Sequence, residues 1–509
     1  MKTIFRNWFK KYKSRNQRRL DKTRDAVGFQ PIMTAKNIHY EVSDKTHAIA
    51  YGGIGAIHAL ARRYGLVEEI DRRLHLLKFH LPYHESDHVL AIAYNALCGG
   101  TCLEDLELLR NNENFLDALG ARRIPDPTTA GDFCRRFAPS DVDALLVAIN
   151  ETRRRVWAEQ PPAFFDCATI DMDGTLVETG GQCKQGMDIA YDGTWGFHPL
   201  VVSLANTGEV LSIVNRSGNR PSHEGAAREA DRSLWLCLEA GFRKVLLRGD
   251  TDFSQTAHLD GWDAIEKVRF LFGYDATPNL KKIADELPES AWRKLQRPAR
   301  YEVKTKPRHK PENVKDKIVR ERRFETLRLQ FEDVAEFDYC PSACRKSYRM
   351  VVIRKNITKE KGEAALFDEI RYFFYITNER DWSADEVVFS ANDRCNQENL
   401  IAQLKGGVWA LQAPVDALVS NWAYMVMTAL AWNLKAWFAL ALPETPGRWR
   451  ELHRQQKEWV LRLEFKSFLK AFVLLPCQIV RTGRKVVYRL LGWNPRLDIF
   501  FRLVAKLQC

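Results

Sequence analysis

Apolar positions recur every three to four residues through most of 50–157, in "YGGIGAIHALARRYGLVEEIDRRL", "ESDHVLAIAYNALCGG" and "SDVDALLVAINETRRRVW". That spacing predicts amphipathic helices, with Ser86 and Ser140 as candidate N-caps. "IPDPTTAGDFCRRF" (124–137) predicts a short capped helix carrying a double Arg. It suits a bundle helix, or the recognition helix of a helix-turn-helix. The pattern changes at Pro161-Pro162. "FFDCATIDMD" is strand-like, and "GFHPLVVSLANTGEVLSIVNR" alternates as a hairpin turning at Asn206-Thr207-Gly208. A helix is predicted over 222–241, capped near Ser222 or His223 and closed by Gly241. Strands follow in "RKVLLRGD" (243–250) and "VRFLFGYD" (268–275), with a helix from about 254 between them. After a charged stretch, "SYRMVVIRKN" and "YFFYITN" read as strands, and a long helix is predicted across 384–405. "WAYMVMTALAWNLKAWFALAL" (422–442) is apolar on all sides. Asn433 and Lys435 interrupt it, so it predicts a buried core helix and no membrane span. "QIVRTGRKVVYRLLG" predicts a final hairpin.

These elements divide the chain into a basic arm (1–35) and a helical region (36–160). An α/β core (161–275 and 381–442) is interrupted by a strand-rich basic insertion (276–380), and a basic C-terminal region (443–509) follows.

Charge sharpens this picture. The net charge is +12, yet residues 1–24 hold ten Lys/Arg against one Asp, and residues 293–323 hold thirteen against four acids. Each segment is therefore +9, which leaves −6 for the rest. Two concentrated basic segments on a near-neutral body point to a polyanion, with nucleic acid the first candidate. The eleven cysteines form no CxxC pair and read as reduced thiols of a cytoplasmic protein. "MKTIFRNWFKKYK" is basic without an apolar run, so it is not read as a secretory signal.

The chemistry concentrates in three places. "TIDMDGT" carries Asp171 and Asp173, two apart on a strand and so on one face. "LLRGDTDF" puts Asp250 and Asp252 at a second strand end. "NDRCNQENLIAQLKGG" spaces Arg394, Glu398 and Lys405 by four and seven. On one continuous helix Glu398 would lie roughly 40°, and Lys405 roughly 20°, from Arg394. Arg394 and Glu398 also suit an exposed ion pair. As a site, Glu398 would join the strand-end aspartates as a metal ligand, while Arg394 and Lys405 hold phosphates. The motif Asp-x-Asp-Gly-Thr alone equally matches the haloacid-dehalogenase-type phosphatases, with Asp171 as nucleophile. That alternative leaves the third cluster and both basic segments without a role.

Taken in order, "IDMDGT", "RGDTDF" and R-x3-E-x6-K, with a strand-rich insertion before the last, resemble the DDE-type transposases of bacterial insertion sequences. The branch is the DDE domain group 1, with its Y-R-E-K signature, and the resemblance covers most of 45–490. It implies an α/β, RNase H-like catalytic core with an α-helical N-terminal DNA-binding region. The catalytic and metal-binding carboxylates would be Asp173, Asp250 and Glu398, with Asp171 the alternative first Asp. Arg394 and Lys405 would contact DNA phosphates. Also implied are two Mg²⁺ ions (Mn²⁺ substituting), terminal inverted repeats and target DNA as double-stranded partners, a homodimer on DNA, and a bacterial, nucleoid-associated location. Ala391 stands where the signature has Tyr. A catalytically inactive, DNA-binding relic of such an enzyme therefore stays as an alternative.

Overall fold

Among the described residues, a nine-stranded mixed sheet forms the framework of residues 160–402, one of two compact units in this computed structural model. The other unit comprises 1–159 with 403–509. The structure describes residues 10–19, 21, 38–40, 46–80, 82–297, 312–361, 364–482 and 485–508, with backbone alone at 320 and 364–368. Most of the basic arm, and residues 298–311 of the second basic segment, lie outside the described residues.

The sheet contains β1 (Ala168–Gly174), β2 (Leu200–Leu204), β3 (Glu209–Val214), β4 (Val245–Gly249), β5 (Val268–Tyr274), β6 (Arg293–Lys294), β7 (Glu325–Tyr339), β8 (Tyr348–Lys361) and β9 (Ala364–Thr377). Their spatial order is β6-β7-β8-β9-β5-β4-β1-β2-β3. β1, β4 and β5 are mutually parallel neighbours, and the other pairs are antiparallel. Every residue of β4 is buried, as expected for a parallel strand covered on both faces. The predicted hairpin is present as β2 and β3. The expected strands at 348–357 and 371–377 belong to a long meander, β7 to β9. Its last strand pairs with β5 (Thr377 opposite Leu271), so the meander extends the core sheet.

Helix Ala226–Ala240 packs on β1 to β4. It begins later than predicted, because Gly225 takes the left-handed conformation at φ 74° and ends any earlier turn. Gly241, at φ 107°, closes it as expected. On the face that carries Asp171, Leu246 and Leu271 of the sheet form a buried cluster with Ala384, Val387 and Val388.

The long helix predicted across 384–405 is two helices, Ala384–Asn392 and Cys395–Gly406. The break has a tertiary cause. In a continuous helix the Ser390 carbonyl would accept from the amide of Arg394. Arg248 of β4 donates to that carbonyl instead (2.7 Å), and the Arg394 amide turns to Ala391 O at 3.4 Å.

In the other unit, helices Ile54–Arg63, Glu85–Leu97, Pro127–Arg135 and Pro139–Trp157 pack on a central helix, Leu418–Leu440. That helix is buried along almost its whole length, as its apolar pattern predicts. Its Lys435 donates to Leu461 O (2.8 Å) and lies 3.9 Å from the Trp432 ring. Neither predicted serine cap is one. His84 and Ala138 precede those two helices, and Ser86 instead bonds Asp71 through both its amide and hydroxyl, each at 2.9 Å. The double-Arg helix is capped by Asp126, and its Arg135 pairs with Asp132 and Asp416. The predicted final hairpin is present as Cys477–Thr482 and Lys485–Leu490, with Ala48–Ile49 added to its edge. No helix among the described residues is long and apolar enough to cross a membrane.

Candidate active site

Two residue pairs line one face of the β1–β4 junction, one deep and one near the surface. The deep pair is Asp171 on β1 and its register partner Arg248 on β4. Asp171 is 1% exposed and takes a bidentate grip from Arg248, at 2.7 and 2.9 Å. A third arm of the same guanidinium reaches the carbonyl and hydroxyl of Ser390.

Two residues beyond that pair come Asp173, near the end of β1, and Asp250, just past the end of β4, in line with the parallel register. Arg394, released from the helix by the break at 393–394, points its guanidinium between them. It lies 3.2 Å from Asp173 Oδ2 and 3.8 Å from Asp250 Oδ2. Burial pushes the Asp173 carboxyl up to about 6, with Asp250 and Glu398 adding repulsion and Arg394 opposing. Burial also raises Asp250, and Asp252 adds to the shift. Asp250 further caps the turn Thr251–Phe253, accepting from the Asp252 amide at 3.0 Å.

The helix-face reading of Arg394, Glu398 and Lys405 therefore changes. Arg394 is off the helix and on the aspartates, while Glu398 and Lys405 remain on Cys395–Gly406. Glu398 sits in the first turn, exposed, and acts electrostatically on Asp173. Lys405 lies in the last turn, where burial lowers its pKa.

Gly174 has a steric reason to follow Asp173. A Cβ there would come within 2.8 Å of His198 Nε2 and 3.3 Å of Ser222 Cβ. Arg216, next to Ser217-Gly218-Asn219, is 6% exposed. It donates to the carbonyls of His198, Pro221, Ser222 and Glu224 and knits that loop together. Ala391, where the signature has Tyr, is partly buried against the cluster that contains Leu246 and Leu271, as is Tyr375.

Among the described residues no three His, Cys, Asp or Glu side chains form a ready metal cluster. What is present is a pair of carboxylates sharing one cation, the Arg394 guanidinium. Hard oxygen donors around a positive charge are the chemistry that Mg²⁺ selects, so the pair fits such an ion. Sequence reasoning did not find Arg248 or Gln397 (below). Arg248 was visible only as the Arg two before Asp250.

The mixed α/β sheet thus carries paired carboxylates and a shared guanidinium at two parallel strand ends. A profile of the transposase DDE domain group 1 family matches residues 32–509, and the chain belongs to that family. No curated protein matches it significantly. Among solved structures it has a low similarity to a piggyBac transposase synaptic complex with hairpin DNA. Identity is 11%, coverage 83% of this chain and 81% of the other, and the TM-score 0.36.

Proposed function

We propose that the protein is the DNA transposase of a bacterial insertion sequence. It would bind the element's terminal inverted repeats, cut them, and join the freed ends to target DNA. The observation that carries this reading is the meeting of Asp173, Asp250 and Arg394 at adjacent strand ends, with Glu398 one turn along. The strand order β3-β2-β1-β4-β5, with only β2 antiparallel to the rest, supports an RNase H-like core.

Asp173, Asp250 and Glu398 would hold Mg²⁺, two ions when DNA is bound, with Mn²⁺ able to substitute. When bound, the metal supplies activation of the attacking oxygen and stabilisation of the leaving one. The chain's own part is positioning and charge. Arg394 would contact phosphate oxygens of bound DNA, and Lys405 would add a second phosphate contact. The basic segments 1–24 and 293–323 and the helical region hold the duplex, with affinity falling steeply with salt. Two copies would pair two ends.

The test is cleavage of a plasmid carrying the gene's own flanking DNA, with Mg²⁺ or EDTA. Cuts at the flanks that need Mg²⁺ and vanish in Asp173→Asn and Glu398→Gln are the expected result. Flank binding by wild type without any cutting would overturn the catalytic reading in favour of a DNA-binding relic.

A further inference from the structure

Gln397 immediately precedes Glu398 and is 1% exposed on an otherwise solvent-bathed first helical turn. Both ends of its amide are used. Nε2 donates to Val201 O at 3.0 Å, and Oε1 accepts from the Ser203 hydroxyl. Both partners lie on β2, and Val201 is the register partner of Asp173 on β1. At this spot the pairing of β2 with β3 slips by one residue, between Val202 and Ser203. Bulges of this kind disturb the ladder locally and re-aim neighbouring groups beside active sites.

From this geometry, and resting on the carboxylate reading above, we infer that Gln397 is the positioning residue that sets Glu398 against Asp173. A buried primary amide is a directional lock, since donor and acceptor must both be satisfied and only one helix rotation does so. Glu398 follows by roughly 100° around the helix, which carries it out of the lock toward solvent. The helix start is thereby keyed to the strand residue opposite Asp173. Arg248 provides the complementary anchor, holding the end of the preceding helix through Ser390. Between these two fixed points lies the short connection that bears Arg394. A merely apolar contact at 397 would hold the helix against the sheet but leave it free to slide and turn.

The test uses Mn²⁺ titration of the full-length protein without DNA, read by the paramagnetic signal of bound ion. Alongside it run thermal melting and flank-DNA binding in EDTA. Gln397→Met keeps the volume and removes both bonds, Ser203→Ala removes one, and Glu398→Gln is the control. Loss of outer partners that orient metal ligands typically weakens metal affinity about 10- to 100-fold. The expected result is Mn²⁺ affinity at least about tenfold weaker in Gln397→Met and intermediate in Ser203→Ala, with flank-DNA binding unchanged. Wild-type Mn²⁺ affinity in a folded Gln397→Met overturns the proposal. Should that variant fail to fold, Ser203→Ala decides on the same criterion. Unchanged Mn²⁺ affinity in Glu398→Gln would instead overturn the carboxylate reading itself, and the proposal with it.

Discussion

Replacing Asp171 by Asn is the change that most directly separates support from chemistry at this centre. Asp171 and Arg248 are 1% and 7% exposed, and the pair is bidentate. Asn keeps the shape but offers one oxygen where the guanidinium needs two, and turns an NH₂ group toward an N–H. Removing one partner of a buried pair leaves an uncompensated charge and costs about 3–5 kcal/mol. If residues 160–402 melt as one unit, each kcal/mol corresponds to about 2–4 °C, so the drop in Tm is about 6–20 °C. The double change Asp171→Leu with Arg248→Met removes both charges and should recover most of that loss. Differential scanning calorimetry measures the stability, and Mn²⁺ titration well below the transition measures the site. Asp171→Asn should melt early yet bind Mn²⁺, whereas Asp173→Asn should fold well and lose it. An Asp171→Asn protein with wild-type Tm and no Mn²⁺ binding would refute the reasoning and make Asp171 the first ligand.

Three further outcomes follow from the same physical terms. Burial lowers Lys435 from 10.5 to about 7. The unfolded chain therefore holds that proton in the window where the folded chain has released it, and stability should rise with pH from about 7 to 10.5. Lys435→Met should melt above wild type at pH 7, by at most about 4 kcal/mol, with the gap shrinking toward pH 9.5 in a pH-resolved melting series. Because Asp173 titrates near 6, Mn²⁺ affinity should fall as pH drops through that value, as protons compete for the carboxylate. A pH-independent affinity between 5 and 7.5 would contradict it. Deleting residues 1–24 removes ten Lys/Arg and one Asp. It should flatten the dependence of log affinity for flank DNA on log salt, and an unchanged slope in fluorescence anisotropy would place those charges off the DNA.

What the amino-acid pattern disclosed was local, and what it concealed depended on register. The hairpin at Asn206-Thr207-Gly208 was readable because alternation and turn chemistry act within a few residues. Asp173 and Asp250 were readable as strand ends for the same reason. The choice between Asp171 and Asp173 was not, because a period of two puts both on one face. What separates them is Arg248, 77 positions away, and the parallel register that sets it opposite Asp171 and leaves Asp173 to Arg394. The break before Arg394 was hidden likewise. Nothing in "FSANDRCNQEN" forbids a helix, and it is the Arg248 side chain that diverts the Ser390 carbonyl. One buried arginine thus accounts for both features that the pattern left hidden. It neutralises the aspartate that resembled a nucleophile, and it frees the arginine that had seemed to belong to a helix face. The same logic explains Gln397, a polar letter on a polar turn until β2 supplies a hydroxyl and a carbonyl at amide spacing. In a centre built where strands and helix ends meet, composition names the candidate side chains and register decides which of them are already paired.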